Sequence, residues 1–423
     1  MNQNAIDKMK RKLKGSFVNT NVVDNWPQYD SFETHVTSLG DEVLKCKSKW
    51  IDIIDVFNIY YEVVVEALTA NGMETPPKDG CLWDIIGEEK GTELINRFID
   101  YIVTIPRTYD LFIPLPNLSG DLNNLRLSEN FSLIVFNDTE GIPGGFNNSM
   151  RSLLSGLSQP TNSLEPNKVY LSQRVSGFCG NRIENFTIKE AINNFKIIIQ
   201  LGMFKNIFVT DKPKRIIGGY SHFQIPKIYL VNVDKTDSSE KAKGVELPVS
   251  FSEYICSINY SHNNQEPSLL RFRTGEDIAQ HVNEHLGNAI NLIECDAEES
   301  KRVKASILWY FESCIASSPT LAFLQVCIGL EALLGDDVYN GALVETLADR
   351  CAYLISGDIK GRKKIKDDFK KIYGVRSKLV HGNATELDSN QKHYLHQGRS
   401  ILKFAISKEI KHLNLDKNTS YKK

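Results

Sequence analysis

The sequence predicts an α+β protein, in which a helical and strand-rich amino-terminal part is followed by an all-α bundle at the carboxyl end. Helix-period apolar patterns occupy the first hundred residues and most of the chain after residue 295, whereas short β-branched runs fill the middle. A length of 423 residues accommodates several domains. We therefore expect a helical segment at 1–108, a mixed α/β domain at 109–295, a helical bundle at 296–412 and a polar tail at 413–423.

The composition is that of an ordinary globular protein, with 41% hydrophobic and 24% charged residues. The first sixteen residues carry charges but no apolar core of a secretion signal, and no apolar run approaches the roughly 18 residues of a membrane helix. The eight cysteines are scattered without a CxxC pair, which is typical of free thiols in a reducing compartment. We expect a cytoplasmic chain with no membrane partner and no structural zinc.

Two helices are predicted in the first segment. An apolar stripe runs from Glu42 to Ala70 and stops at Asn71-Gly72, so a single helix is expected there. A second helix is expected around Gly91 to Val103. Neither helix shows a motif with recognisable chemistry.

The middle of the chain reads as strands from about Tyr109 onward, with one helix at Lys189–Leu201. The strand-like runs are LFIPLP, FSLIVF, KVYL, NIFV and IYLVNV. The glycine-rich stretches Gly141–Gly145 and Gly177–Asn181 fit neither GxxxxGK[ST] nor GxGxxG, so they are interpreted as turns rather than phosphate-binding loops. Ser238–Gly244 is expected to be a surface loop.

A helix predicted at Asp277–Ile293 contains two histidines four residues apart, His281 and His285. Such a pair can share a metal ion, but HVNEH differs from HExxH and no third ligand is evident. An ordinary histidine pair is favoured over a metal site, and no cofactor is expected.

Five helices are predicted in series at the carboxyl end. The first is expected to begin with Asp296 as N-cap and Glu299 completing a capping box. The second begins at Ser318-Pro319, a cap followed by proline at the first turn. The third and fifth are expected at about 342–356 and 390–412.

The second of these helices, TLAFLQVCIGLEALLG, is apolar nearly all round and is therefore expected at the centre of the bundle. Gln325 and Glu331 are its conspicuous polar members. A charge at Glu331 requires a partner in such a position, and the candidates are Arg376 and Arg350.

The fourth helix, from Lys360 to His381, holds Arg376 and His381 five residues apart. At roughly 100° and 1.5 Å per residue, the two side chains lie about 140° apart around the axis and about 7.5 Å apart along it. Arginine binds phosphate oxygens with a fork of donors, and histidine exchanges protons near neutral pH. The pair can therefore cleave a phosphodiester whose own 2′-hydroxyl is the nucleophile, without a metal. The spacing alone is weak, because a histidine at a helix end is often only a cap.

Charge is distributed unevenly along the chain. Its net charge is −2, yet residues 297–423 hold 21 Lys and Arg against 15 Asp and Glu. Seven of these cations lie between Lys360 and Lys371, directly before Arg376. They form either a solvated helix face or a strip that follows the phosphates of a nucleic acid.

Three motifs resemble the Apea-like branch of the HEPN superfamily (higher eukaryotes and prokaryotes nucleotide-binding). They are IGLEALLG, the helix with Asp349-Arg350-Cys351, and IYGVRSKLVHG, within roughly 296–412. The resemblance implies a helical bundle that dimerises and brings an Rx4–6H motif from each copy to a shared cleft. Arg376 and His381 would be the catalytic pair, and Glu331 would orient the arginine. Many active members place Asn, Asp or His directly after the arginine, where this chain has Ser377.

The resemblance further implies a metal-independent endoribonuclease that acts as a toxin or as an abortive-infection effector of antiphage defence. The expected partners are an RNA substrate, with transfer RNA as one option, a second copy of the chain, and a phage-derived trigger at the amino-terminal part. Expected RNA contacts are Lys363, Lys364, Lys370, Lys371, Ser377 and Lys378. Two alternatives remain open: a catalytically inactive RNA- or nucleotide-binding module, and a dimerising adaptor.

Overall fold

A computed structural model describes residues 1–69, 79–115, 124–136, 164, 168–180, 182–210, 227–234, 243–260, 275–335 and 343–413. For residues 259, 260, 275–279 and 281 it describes the backbone alone. The predicted turn at 141–145 lies outside these ranges, as does the tail from residue 414.

The described residues form thirteen helices and eleven strands. The helices are α1 (Gln3–Asn19), α2 (Tyr29–Lys47), α3 (Ile53–Thr69), α4 (Leu82–Ile86), α5 (Glu88–Val103), α6 (Phe186–Phe204), α7 (Val249–Cys256), α8 (Gly275–Glu294), α9 (Glu298–Ile315), α10 (Pro319–Leu334), α11 (Leu343–Ile355), α12 (Ile359–Val380) and α13 (Lys392–His412). The strands are β1 (Asn21–Val23), β2 (Trp26–Pro27), β3 (Gly80–Cys81), β4 (Arg107–Pro114), β5 (Leu125–Arg126), β6 (Phe131–Val135), β7 (Val169–Gly177), β8 (Phe208–Thr210), β9 (Lys227–Asn232), β10 (Lys243–Glu246) and β11 (Ile258–Tyr260). The α+β expectation is confirmed, with helices alone after residue 275 in the described chain.

The chain divides into two compact units. The first comprises Met1–Asp110, Arg174–Glu190 and Leu230–Glu240, and the second comprises Leu111–Gln173, Ala191–Tyr229 and Lys241–Lys423. The domain bounds expected from the sequence stay a prediction.

The first unit is built on a helical core. Phe17, Phe32 and Tyr60 are fully buried where α1, α2 and α3 pack together, and their rings lie 5.2–5.6 Å apart. The Tyr60 hydroxyl shares a hydrogen bond of 2.5 Å with the hydroxyl of Thr20, so its one polar atom is satisfied inside the core.

The prediction of a single helix from Glu42 to Ala70 is wrong. Helix α2 ends at Lys47 and α3 begins at Ile53. The backbone N–H of Asp55 donates to the Asp52 carboxylate (2.8 Å), and the N–H of Asp52 donates to the Asp55 carboxylate (3.2 Å). This reciprocal arrangement is a capping box, which starts a new helix inside a continuous apolar stripe.

The predicted strands are confirmed as β4, β6, β7, β8 and β9, and the predicted helix near 189–201 is α6. Six strands form one sheet in the order β10-β9-β4-β7-β6-β5, and β6 runs antiparallel to both β5 and β7. Along β6, Phe131, Leu133 and Val135 are buried while the residues between them are half-buried, as the two-residue period of a strand requires. The loop expected at 238–244 is contradicted at its end, because Lys243 and Gly244 belong to β10.

Helices α9–α13 form the bundle of the second unit, in which α10 packs against the other four. The Ser318 hydroxyl accepts a hydrogen bond from the N–H of Leu321 (3.1 Å), which confirms this cap. The cap expected for α9 is wrong, because α9 begins after Ala297 and no side chain caps it. Instead, the Ser300 hydroxyl donates to carbonyls of Cys295 and Ala297 in the turn before the helix. No helix in the described ranges is both long enough and apolar enough to cross a membrane.

Candidate functional site

Helix α12 supports most of the predicted site residues. The Asp358 carboxylate caps its first turn by accepting from the N–H of Gly361 at 2.7 Å. The helix continues for 22 residues to Val380, with His381 as its C-cap and Gly382 at φ +75°, a conformation that favours glycine. The predicted helix and its end are therefore confirmed.

Arg376 lies on the side of α12 that faces the bundle. At about 100° per residue it shares this side with Phe369 and Tyr373, both buried. Its guanidinium Nη2 lies 3.2 Å from Oε1 of Glu331 on α10, and the two side chains are 30% and 25% exposed. The structure thus joins two of the three predicted catalytic residues in an ion pair between neighbouring helices.

The Arg376–Glu331 pair is held by charge rather than by an aligned hydrogen bond. Glu331 Oε1 is a buried atom, yet it has no hydrogen-bond partner among the described residues. Arg350, the other candidate partner, instead donates to the backbone carbonyl of Leu334 at 2.8 Å. The carboxylate can therefore accept further hydrogen bonds while it fixes the position of the arginine.

Tyr373 and Cys327 border this ion pair, and the sequence reasoning did not identify either. The Tyr373 hydroxyl donates to the Cys327 carbonyl at 3.4 Å, which connects α12 to α10 one turn from the pair. Burial, reinforced by the negative charge of Glu331, raises the pKa of the Tyr373 hydroxyl and raises the pKa of the Cys327 thiol to about 12. Both groups therefore stay protonated at neutral pH and add no charge to the site.

His381 lies on a different side of the helix from Arg376. It is exposed, and its backbone N–H donates to the Ser377 carbonyl at 3.0 Å as the helix ends. Ser377 is also exposed and lies between the two residues around the axis. One copy of α12 therefore does not aim both functional groups in one direction, as the spacing of about 140° predicts.

The predicted RNA-contacting lysines divide into two groups. Lys363, Lys364, Lys371 and Lys378 are exposed, and no ion pair joins them to another described residue. Lys370 instead lies 2.5 Å from Glu345 of α11, so an acidic partner offsets its charge.

The histidine pair of α8 is described only in part. His285 is half-buried, and the side chain of His281 lies outside the description. Within the described residues, no three or more His, Cys, Asp or Glu side chains are grouped in a way that could hold a metal ion.

Comparisons with known proteins return no family model that matches the chain, and neither a curated protein nor a solved structure matches it. The similarity to Apea-like HEPN domains therefore stays an interpretation of the three sequence motifs.

Proposed function

We propose that this chain is a metal-independent endoribonuclease of HEPN type, which acts in the cytoplasm as an antiphage effector or toxin. Its active form is a homodimer, and its amino-terminal part restrains it until a phage-derived trigger is present. The observation that carries the proposal is the ion pair between Arg376 and Glu331, in which Arg376 belongs to the helix whose C-cap is His381.

The proposed reaction is an internal transfer at one phosphodiester of RNA. The ribose 2′-oxygen forms a bond to phosphorus, and the bond from phosphorus to the 5′-oxygen breaks. His381 takes the proton of the 2′-hydroxyl as general base, the leaving 5′-oxygen takes a proton from water, and the hydroxide that remains takes up the proton held by His381. Arg376 offsets the charge that grows on the phosphoryl oxygens. The products are a 2′,3′-cyclic phosphate and a 5′-hydroxyl end.

The environment of Arg376 suits a phosphate-binding group. The guanidinium is fixed by Glu331, is still 30% exposed, and makes no hydrogen bond within the described part of the chain. Its donors therefore remain available for the planar, two-point contact that arginine makes with phosphate.

Two features support a second copy of the chain at this site. Arg376 and His381 point in directions about 140° apart, so a twofold partner supplies the group that one copy cannot aim at the same phosphate. Val380, one turn after Arg376 on the same side of α12, is 50% exposed although that side is buried earlier in the helix. The last turn of α12 thus leaves an apolar residue for a partner to cover.

One alternative has a specific observation in its favour. Ser377 follows the arginine where many active HEPN members have Asn, Asp or His, and His381 serves as the C-cap of α12. In a module that binds RNA without cleaving it, Arg376 would hold a phosphate and His381 would be structural.

The decisive experiment incubates the purified full-length chain with total RNA in EDTA and maps new ends that carry cyclic phosphate. Wild type is expected to produce such ends, and His381→Ala is expected to lower their yield by about 100-fold or more while still binding RNA, because the general base is removed. His396→Ala removes another exposed bundle histidine and is the matched control, with unchanged cleavage. Equal cleavage by wild type and His381→Ala would contradict the proposal, and binding without cleavage by wild type would favour the binding module.

A further inference from the structure

The corner between α11 and α12 presents an exposed aromatic ring held by an arginine. Tyr353, near the end of α11, is 67% exposed. The guanidinium carbon of Arg362 lies 4.3 Å from the centroid of the tyrosine ring. Arg362 also donates to the carbonyls of Ser356 (3.0 Å) and Gly357 (3.3 Å), just past the carboxyl end of α11.

These contacts fix the tyrosine ring without burying it. The carbonyls at a helix end attract a cation, so Arg362 is held in place, and it covers one face of the ring by a cation–π contact. Two thirds of the residue is exposed, so a ligand can reach the ring from solvent. A ring that is already fixed loses little conformational freedom when a flat ligand stacks on it.

A row of lysines begins at the same corner and runs along α12. At about 100° per residue, Lys360, Lys364, Lys371 and Lys378 fall within about 40° of one another around the helix. All four are exposed, and none has an ion pair with another described residue. Such a row has the charge and the direction to follow the phosphates of one strand.

The length of the row gives the size of the ligand. From Lys360 to Lys378 the helix rises about 27 Å, at 1.5 Å per residue. A stacked strand advances about 3.4 Å per nucleotide, so about eight nucleotides span the row from Lys360 to Lys378.

We propose that Tyr353 is a stacking platform for one unpaired base of single-stranded RNA, whose phosphates follow the lysine row of α12 toward Lys378 and the end of the helix at His381. This inference rests on the proposed ribonuclease function and names its substrate class, a single strand of at least eight nucleotides or so. Aromatic rings accept any base in this way, because every base has a π-face.

The test measures binding of fluorescein-labelled single-stranded RNA by anisotropy in EDTA, using full-length His381→Ala as the parent so that the probe stays intact. For a 12-nucleotide probe, Tyr353→Ala is expected to raise the Kd by about 5- to 100-fold, the range of one base stack. Tyr353→Phe retains the ring and should bind as the parent does. A 4-nucleotide probe should bind the parent more weakly than the 12-nucleotide probe does, because it cannot reach both ends of the row.

Phe404→Ala is the matched control, since Phe404 is an exposed aromatic residue (60%) on a different helix, α13. Unchanged binding of the 12-nucleotide probe by Tyr353→Ala would overturn this inference and leave the ribonuclease proposal standing. A lower oligomeric mass of Tyr353→Ala in analytical ultracentrifugation would also overturn it, because the corner would then be a contact between copies of the chain. A parent that binds no RNA, with a wild type that cleaves none, would overturn the ribonuclease proposal itself.

Discussion

Two arginine–carboxylate pairs, one in each unit, have arginines of similar exposure, 23% for Arg182 and 30% for Arg376, but differ in how their carboxylates are bonded. In the first unit, Arg182 Nη2 donates to Asp55 at 2.9 Å and to both carboxylate oxygens of Asp52 at 3.0 Å. Asp55 is 2% exposed and also accepts from the Asn185 side chain and from the backbone N–H of Asp52. In the second unit, Arg376 and Glu331 are 30% and 25% exposed, and Oε1 of Glu331 accepts no hydrogen bond from a described residue.

The difference separates a structural clamp from a candidate site. Both oxygens of Asp55 are occupied, so the pair fastens the segment after β7 to the start of α3. Removing one partner of a buried charge pair is costly because the other charge is left unpaired, whereas a half-exposed pair contributes little to stability. Unused hydrogen-bonding capacity beside partial exposure is what a ligand site requires. We therefore expect substitutions at Arg182 to change stability, and the proposed function places the chemistry at Arg376.

The largest expected effect is at Arg376. Arg376→Lys keeps the charge but loses the planar fork, so RNA cleavage is expected to fall by about 100-fold, as when one transition-state donor is removed. The melting temperature should hardly change, because the pair with Glu331 is partly exposed. Cleavage rate and thermal unfolding are measured on the same preparation.

Arg97→Lys makes the same change at the exposed pair with Glu66 in the first unit. It should alter neither the cleavage rate nor the melting temperature. If Arg376→Lys cleaves as wild type does, or unfolds the bundle, Arg376 is structural and the contrast with Arg182 disappears.

A smaller effect, on stability instead of activity, is expected at Arg182. Arg182→Met leaves the buried Asp55 without its cation and should lower the free energy of unfolding of the first unit by about 3 kcal/mol. Tryptophan fluorescence during denaturation is a suitable measurement, because Trp26, Trp50 and Trp83 all belong to this unit. Cleavage per folded molecule should not fall.

The matched control is Arg97→Met at a surface pair, which should cost less than about 1 kcal/mol. Equal costs for the two variants would show that the Arg182 cluster is no clamp.

The smallest expected effect is the pH dependence of the decrease in the free energy of unfolding that Arg182→Met causes. Burial raises the pKa of the Asp55 carboxyl, and the guanidinium of Arg182 partly counteracts this. A raised pKa in the folded state means that stability is highest where the carboxyl is protonated and falls as pH rises through that pKa. Removing Arg182 raises the pKa further, so the cost of the substitution should be greatest near neutral pH and shrink on acidification. A cost that grows on acidification would contradict this account of Asp55.

Elements marked by local signals were predictable from the sequence, and α10 and α12 show why. Ser318-Pro319 and Gly382 set their ends, since caps and left-handed glycines act within a few residues. The break between α2 and α3 was missed because the apolar stripe continues across it. The signal that marks the break is Asp52-x-x-Asp55, an acidic form of the capping box.

The site was predictable in its ion pair but not in its surroundings. An isolated glutamate on an apolar helix requires a cation, and that reasoning gave Arg376 and Arg350 as the candidates, of which Arg376 forms the pair. The ion pair between Lys370 and Glu345 and the contact of Arg362 with the Tyr353 ring both depend on how α11 packs against α12. Such contacts between helices follow from tertiary packing, which spacing within one helix does not report.

The most direct test of the central claim, a cleavage site shared by two copies of the chain, uses heterodimers. Arg376→Ala and His381→Ala chains with different tags are co-expressed, purified through both tags, and assayed for RNA cleavage in EDTA. Each homodimer should be inactive, while the heterodimer keeps one complete pair and should recover about half of the wild-type rate, as twofold symmetry requires. A heterodimer as inactive as its parents, or a chain that never forms dimers, would contradict the shared site.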